Sequence, residues 1–198
     1  MSSRPLVVGL SGASAPIYGI RLLELLSAVP EVETHLVYTR TVPRTVELET
    51  GYDLDQVRNL ADVVHEPGDM AAAISSGSFK TRGMIVAPCS IHTVSCLANS
   101  ITKDLLTRAA DVTLKERRPL VLLVRESPLH LGHLRRLVEV AELGAVVAPP
   151  IPSFYHHPGS LQDLVDHSLG RALDVFDISV KGMKRWSTPS SSLVRRGE

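Results

Sequence analysis

The chain has 198 residues, 44% of them hydrophobic, which is enough for one α/β domain to bury its own core and too apolar for a disordered chain. Its 21 basic and 21 acidic residues cancel, so no overall field draws it to nucleic acid or to an anionic membrane surface. No apolar run reaches the length of a bilayer span and no export signal is expected ahead of the first strand, so a cytoplasmic protein with no membrane insertion is expected. In that compartment Cys89 and Cys96 carry no expectation of a disulfide, and they lack metal-ligand spacing.

The apolar run Leu6–Leu10 reads as a buried strand, and it passes through Ser11-Gly12-Ala13-Ser14-Ala15 directly into a helical pattern over Ile17–Leu26. Backbone N–H groups at a helix N-terminus and the helix dipole favour an anion, and small side chains let a phosphate come close. The segment is neither the G-x-G-x-x-G fingerprint nor a P-loop, and a plain tight turn explains it equally well. A second strand, Val32–Tyr38, leads through Thr39-Arg40 into a helix over Val42–Glu49, whose Glu49 also reads as a solvated helix carboxylate. The third strand, Met84–Ala87, runs into Pro88-Cys89-Ser90-Ile91-His92-Thr93 and a helix over Thr93–Ala98. Ser90 and Thr93 either hold the polar edge of a ligand or cap that helix, and the two roles are compatible.

The helix Leu105–Leu114 ends in Lys115-Glu116-Arg117-Arg118 before Pro119, where cations suit the dipole. Arg108 and Lys115 lie two turns apart on one face and can reach a shared anion, in their own subunit or a neighbour. The strand Leu120–Val124 delivers Arg125-Glu126, either at a ligand edge or as a structural ion pair. A helix over Leu131–Leu143, a strand over Ala145–Ala148, a proline-rich loop carrying Tyr155, and a helix over Leu161–Phe176 follow. His130 with His133 and His156 with His157 lack a third ligand, so no zinc site is expected. The single tryptophan, Trp186, closes a domain expected over residues 1–186, and the Ser-rich residues 187–198 are expected to fray. Strands alternating with helices imply a parallel sheet covered on both faces, with ligands bound beyond the carboxyl ends of the strands.

Taken together, Ser11-Gly12-Ala13-Ser14 with Tyr18-Gly19, Leu48-Glu49-Thr50, Ser75-Ser76-Gly77-Ser78, Pro88-Cys89-Ser90, Arg108-Ala109-Ala110-Asp111, Leu114–Pro119, Arg125-Glu126 and Phe154-Tyr155-His156 resemble the UbiX/Pad-type flavin prenyltransferases from the first strand to Trp186. The resemblance implies a flavodoxin-like or Rossmann-like three-layer sandwich around a central parallel sheet. It implies joining a dimethylallyl group from dimethylallyl monophosphate to reduced FMN at N5 and C6, without a metal. The product is then a prenylated FMN for a UbiD-type decarboxylase, in either quinone synthesis or phenolic acid breakdown. A homo-oligomer, a dodecamer in the family, is implied as well. By the same resemblance Gly12, Ala13, Ser14, Thr39, Ser90, Ile91, His92, Thr93 and Arg125 hold FMN, with Ser14 near N5. Ser76 and Trp186 line the prenyl pocket. Lys115, Arg125, Tyr155 and Arg171 hold the donor phosphate with Arg108 close by, and Glu49 and Glu126 manage protons. Ala15-Pro16 departs from the family's commoner glycine and a different small residue, and Thr39 and His92 occupy variable positions. Two other readings are an FMN-dependent decarboxylase of the related cysteine-decarboxylating type and a non-catalytic flavin carrier. A carrier would need the flavin turns but not Glu49, Lys115, Arg125 and Tyr155.

Overall fold

The computed structural model describes residues 4–183, 185 and 186. The expected tail, residues 187–198, lies outside them. Six strands form one parallel sheet: β1 Leu6–Leu10, β2 Thr34–Tyr38, β3 Val63–His65, β4 Gly83–Cys89, β5 Leu120–Val124 and β6 Val146–Val147, in the spatial order β3-β2-β1-β4-β5-β6. The three-layer α/β architecture is the expected one, and its strand order is that of the Rossmann type. The order reverses between β1 and β4, and at such a switch point the connections leave in opposite directions and open a crevice beyond the strand ends.

The helices are α1 Ile17–Ser27, α2 Val42–Glu49, α3 Leu54–Arg58, α4 Ile91–Ala98, α5 Leu105–Lys115, α6 Leu131–Glu142 and α7 Leu161–Leu173. Alternation along the strands sorts the core into two layers. Leu6, Val8 and Leu10 point to α1, α2, α3 and α7, whereas Val7, Met84 and Val86 point to α4, α5 and α6. Ile20, Leu22, Leu23 and Leu26 bury one face of α1 completely, each worth about 1.5–3 kcal/mol relative to exposure. Gly19 lets that helix sit hard against the sheet, because a Cβ there would lie 2.3 Å from the Ala87 carbonyl oxygen.

The sequence reading omits β3 and α3. Each is too short to show a period, and β3 is a half-buried edge strand. The expected strand over Ala145–Ala148 contracts to two residues, although the Ala148 N–H still donates to Leu122 at the ladder's end. The helix expected to reach Phe176 stops at Leu173. A 3-10 turn over Asp174–Phe176 follows, ended by Asp177 in a left-handed conformation. α4 begins at Ile91 rather than Thr93, because the Ser90 side chain accepts from the Thr93 N–H and caps it.

Candidate active site

At the switch point the carboxyl ends of β1 and β4 are tied together. Ser11 Oγ donates to the Pro88 carbonyl at 2.8 Å and accepts from the Ser90 N–H at 2.7 Å. The neighbouring ends are joined as well, by Thr39 N–H to Leu10 and Arg125 N–H to Cys89. Over this edge lies a cavity of about 480 Å³, within the usual range for small-molecule sites. Gly12, Thr39, Ser90, His92 and Thr93 line it, so five residues drawn from three separate strand ends do meet. Gly12 packs so closely on Thr41 that a Cβ would fall 1.9 Å from its hydroxyl. The mouth therefore presents backbone, hydroxyls and the start of α4, a donor set suited to a flavin's polar edge and phosphate.

Two cations, Arg40 and Lys103, and one carboxylate, Asp104, line it as well, with Thr41, Pro67 and Gly68. The sequence places Arg40 at the strand edge without giving it a binding role, and it does not single out Lys103 at all. Lys103 Nζ meets His92 Nε2. The signal for Arg40 was its place directly after β2, whereas Lys103 comes from the loop before α5 and carried none.

Beside the cavity, Glu49 at the end of α2 reaches back to the β1 turn. Its Oε2 accepts from Ser14 Oγ at 2.9 Å and from the Ala15 N–H at 2.7 Å. Ala15 has φ +66°, a left-handed conformation that strains a residue with a Cβ, and the carboxylate braces it there. Pro16 follows at the N-cap of α1, where its fixed φ is accommodated.

A second group forms where the loop after β6 packs on α7. Tyr155 Oη lies 2.7 Å from His167 Nε2, and the Trp186 ring meets Tyr155 edge-on at 5.5 Å. Tyr155, His167 and Arg171 line a cavity of about 470 Å³. Arg171 and Arg185 both pair with Asp174, leaving one net positive charge. The Arg185 hydrogen bond is the main reason the Asp174 carboxyl sits below the usual carboxylate range. Tyr18 on α1 lies between α7 and Arg125. Burial raises its phenol pKa, while Ser168 on α7 and the charge of Arg125 oppose that shift. Arg125 makes no ion pair with Glu126, which instead accepts from the Ser127 N–H.

Ser76, Arg108 and Lys115 form a third group that does not join the other two in this chain. α5 starts at the carboxyl edge, where the Leu105 N–H donates to Pro67, and runs down the sheet to Lys115, just before β5 begins. At that amino edge Arg118 holds the Gly77 and Phe79 carbonyls of the segment leading into β4. The seven residues of β4 span about 20 Å, which separates Lys115 from the flavin-type turn. Arg108 pairs with Asp111 and donates to Ser75, Lys115 pairs with Glu116, and Ser76 faces Ser78. The described residues contain no group of three or more His, Cys, Asp or Glu side chains arranged to hold a metal ion, and no helix long and apolar enough to cross a membrane. Cys89 and Cys96 are free thiols, and burial drives the Cys89 pKa far up.

The Flavoprotein family profile matches residues 1–179. The curated flavin prenyltransferase UbiX of Escherichia coli strain K12 is 57% identical over 175 residues, which are 88% of this chain and 93% of that protein. The chain belongs to the UbiX flavin prenyltransferase family. Among solved structures, AnUbiX (PadA1) in complex with FMN and dimethylallyl pyrophosphate superposes with a TM-score of 0.91 at 46% identity, covering 94% of this chain and 99% of its own. A dodecameric FMN-dependent UbiX-like decarboxylase from Escherichia coli O157:H7 gives a TM-score of 0.90 at 44% identity, covering 93% and 100%. That family membership is what the ordered set of short motifs implied, and it favours a flavin prenyltransferase over a cysteine-type decarboxylase or a carrier.

Proposed function

We propose that this family member joins the dimethylallyl group of dimethylallyl monophosphate to N5 and C6 of reduced FMN, with inorganic phosphate leaving. The observation that carries the reading is the bracing of Ser14 and Ala15 by Glu49 in the turn that follows Gly12 of the switch-point cavity, which sets a carboxylate beside the turn expected to face the flavin. FMN is here a substrate. Gly12, Ala13, Ser14 and Thr39 would take its ring edge, and Ser90, Ile91, His92 and Thr93 would take the polar end at the α4 N-terminus, with Arg125 bordering both substrates. FMN in complex with the UbiX relative supports this reading.

Fixed cations lower the cost of the charge that develops as an allylic phosphate departs, and a pocket with aromatic faces suits the carbocation-like prenyl group. Arg125, Tyr155 and Arg171 would hold the donor phosphate, Ser76 and Trp186 would line the prenyl pocket, and Glu49 and Glu126 would manage protons. We infer further that Ser76, Arg108 and Lys115 complete the site of a neighbouring subunit, since Lys115 lies at the opposite sheet edge within one chain and Arg108, in the first turn of the same helix, shares its face. The dodecameric relative supports such a homo-oligomer. Delivery of the product to a UbiD-type decarboxylase and a cytoplasmic location belong to the same reading, to which the two free thiols are suited.

The test is anaerobic incubation of the protein with reduced FMN and either dimethylallyl monophosphate or the pyrophosphate, followed by mass spectrometry of the flavin. A flavin heavier by one five-carbon unit with the monophosphate is the expected product. Flavin recovered unchanged with both donors refutes the reading, and product from the pyrophosphate alone corrects the donor.

A further inference from the structure

The Tyr155 phenol is held by a ring that neither its neighbours in sequence nor the site described above accounts for. His167 comes from α7, one turn before Arg171, and is 8% exposed. Its Nε2 lies 2.7 Å from Tyr155 Oη, and its Nδ1 lies 2.9 Å from Ser153 Oγ. The imidazole stacks face to face on His156 at 4.3 Å and 7°, and meets the Tyr155 ring edge-on. One of its faces and both its nitrogens are thus engaged, while Tyr155 and Arg171 open into the same cavity.

We propose that His167 is a positioning residue that aims the Tyr155 hydroxyl at the donor phosphate and frees its proton for that phosphate. The proposal rests on Tyr155 belonging to the donor site. A neutral imidazole offers one N–H and one acceptor nitrogen, and a phenol has a single proton to donate. If Nε2 accepts that proton, none remains for a ligand. If Nε2 carries the hydrogen, it donates to Tyr155 Oη, Ser153 O–H donates to Nδ1, and the phenol proton is free to meet a phosphate oxygen. The serine hydroxyl can serve either arrangement, so an arriving phosphate selects the second with no heavy atom moving and no charge created. Burial, reinforced by His156 and Arg171 and opposed by Asp174, lowers the His167 pKa and keeps the ring neutral.

His167→Phe keeps the flat ring and its stacking but removes both hydrogen bonds. It is expected to leave reduced-FMN affinity within about twofold while lowering kcat/KM for dimethylallyl monophosphate about tenfold, the worth of one hydrogen bond to a charged group. His167→Gln, whose amide reaches the Nε2 position, is expected to recover most of that loss, and His167→Asn, which reaches only the Nδ1 position, is not. In a Tyr155→Phe background, His167→Phe is expected to cost nothing more. Full activity of His167→Phe beside an impaired Tyr155→Phe overturns the proposal and leaves the donor-site reading intact. An unimpaired Tyr155→Phe removes Tyr155 from the donor site and overturns both. Should the phenylalanine variant fail to fold, the decision rests on Gln against Asn, and equal activities of those two overturn the proposal.

Discussion

Replacing Glu49 by glutamine removes a charge and keeps the shape of the side chain that braces the β1 turn. The carboxylate accepts two hydrogen bonds there, from Ser14 Oγ and the Ala15 N–H. Bonds to a charged acceptor are worth about 1.5–3 kcal/mol each and neutral ones about 0.5–1.5, and exposed sites fall toward the low end. Glu49 is exposed, so the substitution weakens the brace by about 1–2 kcal/mol, and reduced-FMN affinity falls about thirtyfold at most. Loss of a proton-transfer group costs turnover about 10²–10⁴-fold, or about 3–5.5 kcal/mol in the barrier. The two effects therefore separate in magnitude. FMN affinity by fluorescence titration and single-turnover formation of the prenylated flavin under anaerobic conditions measure each one. Turnover near wild type, or a fall in turnover no larger than the fall in affinity, refutes a proton-transfer role and leaves Glu49 as a brace.

Ala15→Gly relieves a left-handed alanine worth about 1–2 kcal/mol, against about 0.5–1 kcal/mol of added chain entropy, so unfolding free energy is expected to rise by up to about 1.5 kcal/mol and the urea midpoint with it. A lower midpoint would show that the turn is not strained. The pKa values of His65 and His167 are both lowered, chiefly by burial, so below the unfolded value near 6.5 the unfolded chain binds protons that the folded chain refuses. Their contribution to stability is present above about pH 6.5 and is lost as pH falls through the folded values, so denaturation midpoints should decline as pH falls below about 6.5 and decline less in His65→Gln. A flat profile below that pH would contradict the burial of these rings.

Most of the sheet was legible because long apolar strands and periodic helices carry their own signal. β1, α2 and β5 have the expected bounds. The short elements β3 and α3 were not legible, since three to five residues cannot display a period. Gly12, Thr39, Ser90, His92 and Thr93, which meet in the switch-point cavity, were legible through their place after strands. Lys103 was missed because it enters from a loop, and His167 because it lies inside a helix facing a tyrosine twelve residues away. The division of the expected donor group between opposite sheet edges was beyond motif reading too, since spacing along α5 gives a shared face but not the end of the sheet that the face adjoins.

The hydroxyl of Ser11 spans 77 residues to Pro88 and 79 to Ser90, so the turn after β1 is not a local motif but is completed only by a distant part of the chain. Until β4 has docked beside β1, the first strand has no partner on that side and the cavity has only half its walls. An N-terminal fragment that stops short of residue 90 would hold the family's most recognisable residues and still offer a ligand nothing. Conversely, a ligand seated across this seam clamps the two halves of the chain together. At a hundredfold excess over its Kd it adds about 2.7 kcal/mol to the folded state, so the supply of flavin bears on how much of the chain stays folded as well as on what it makes.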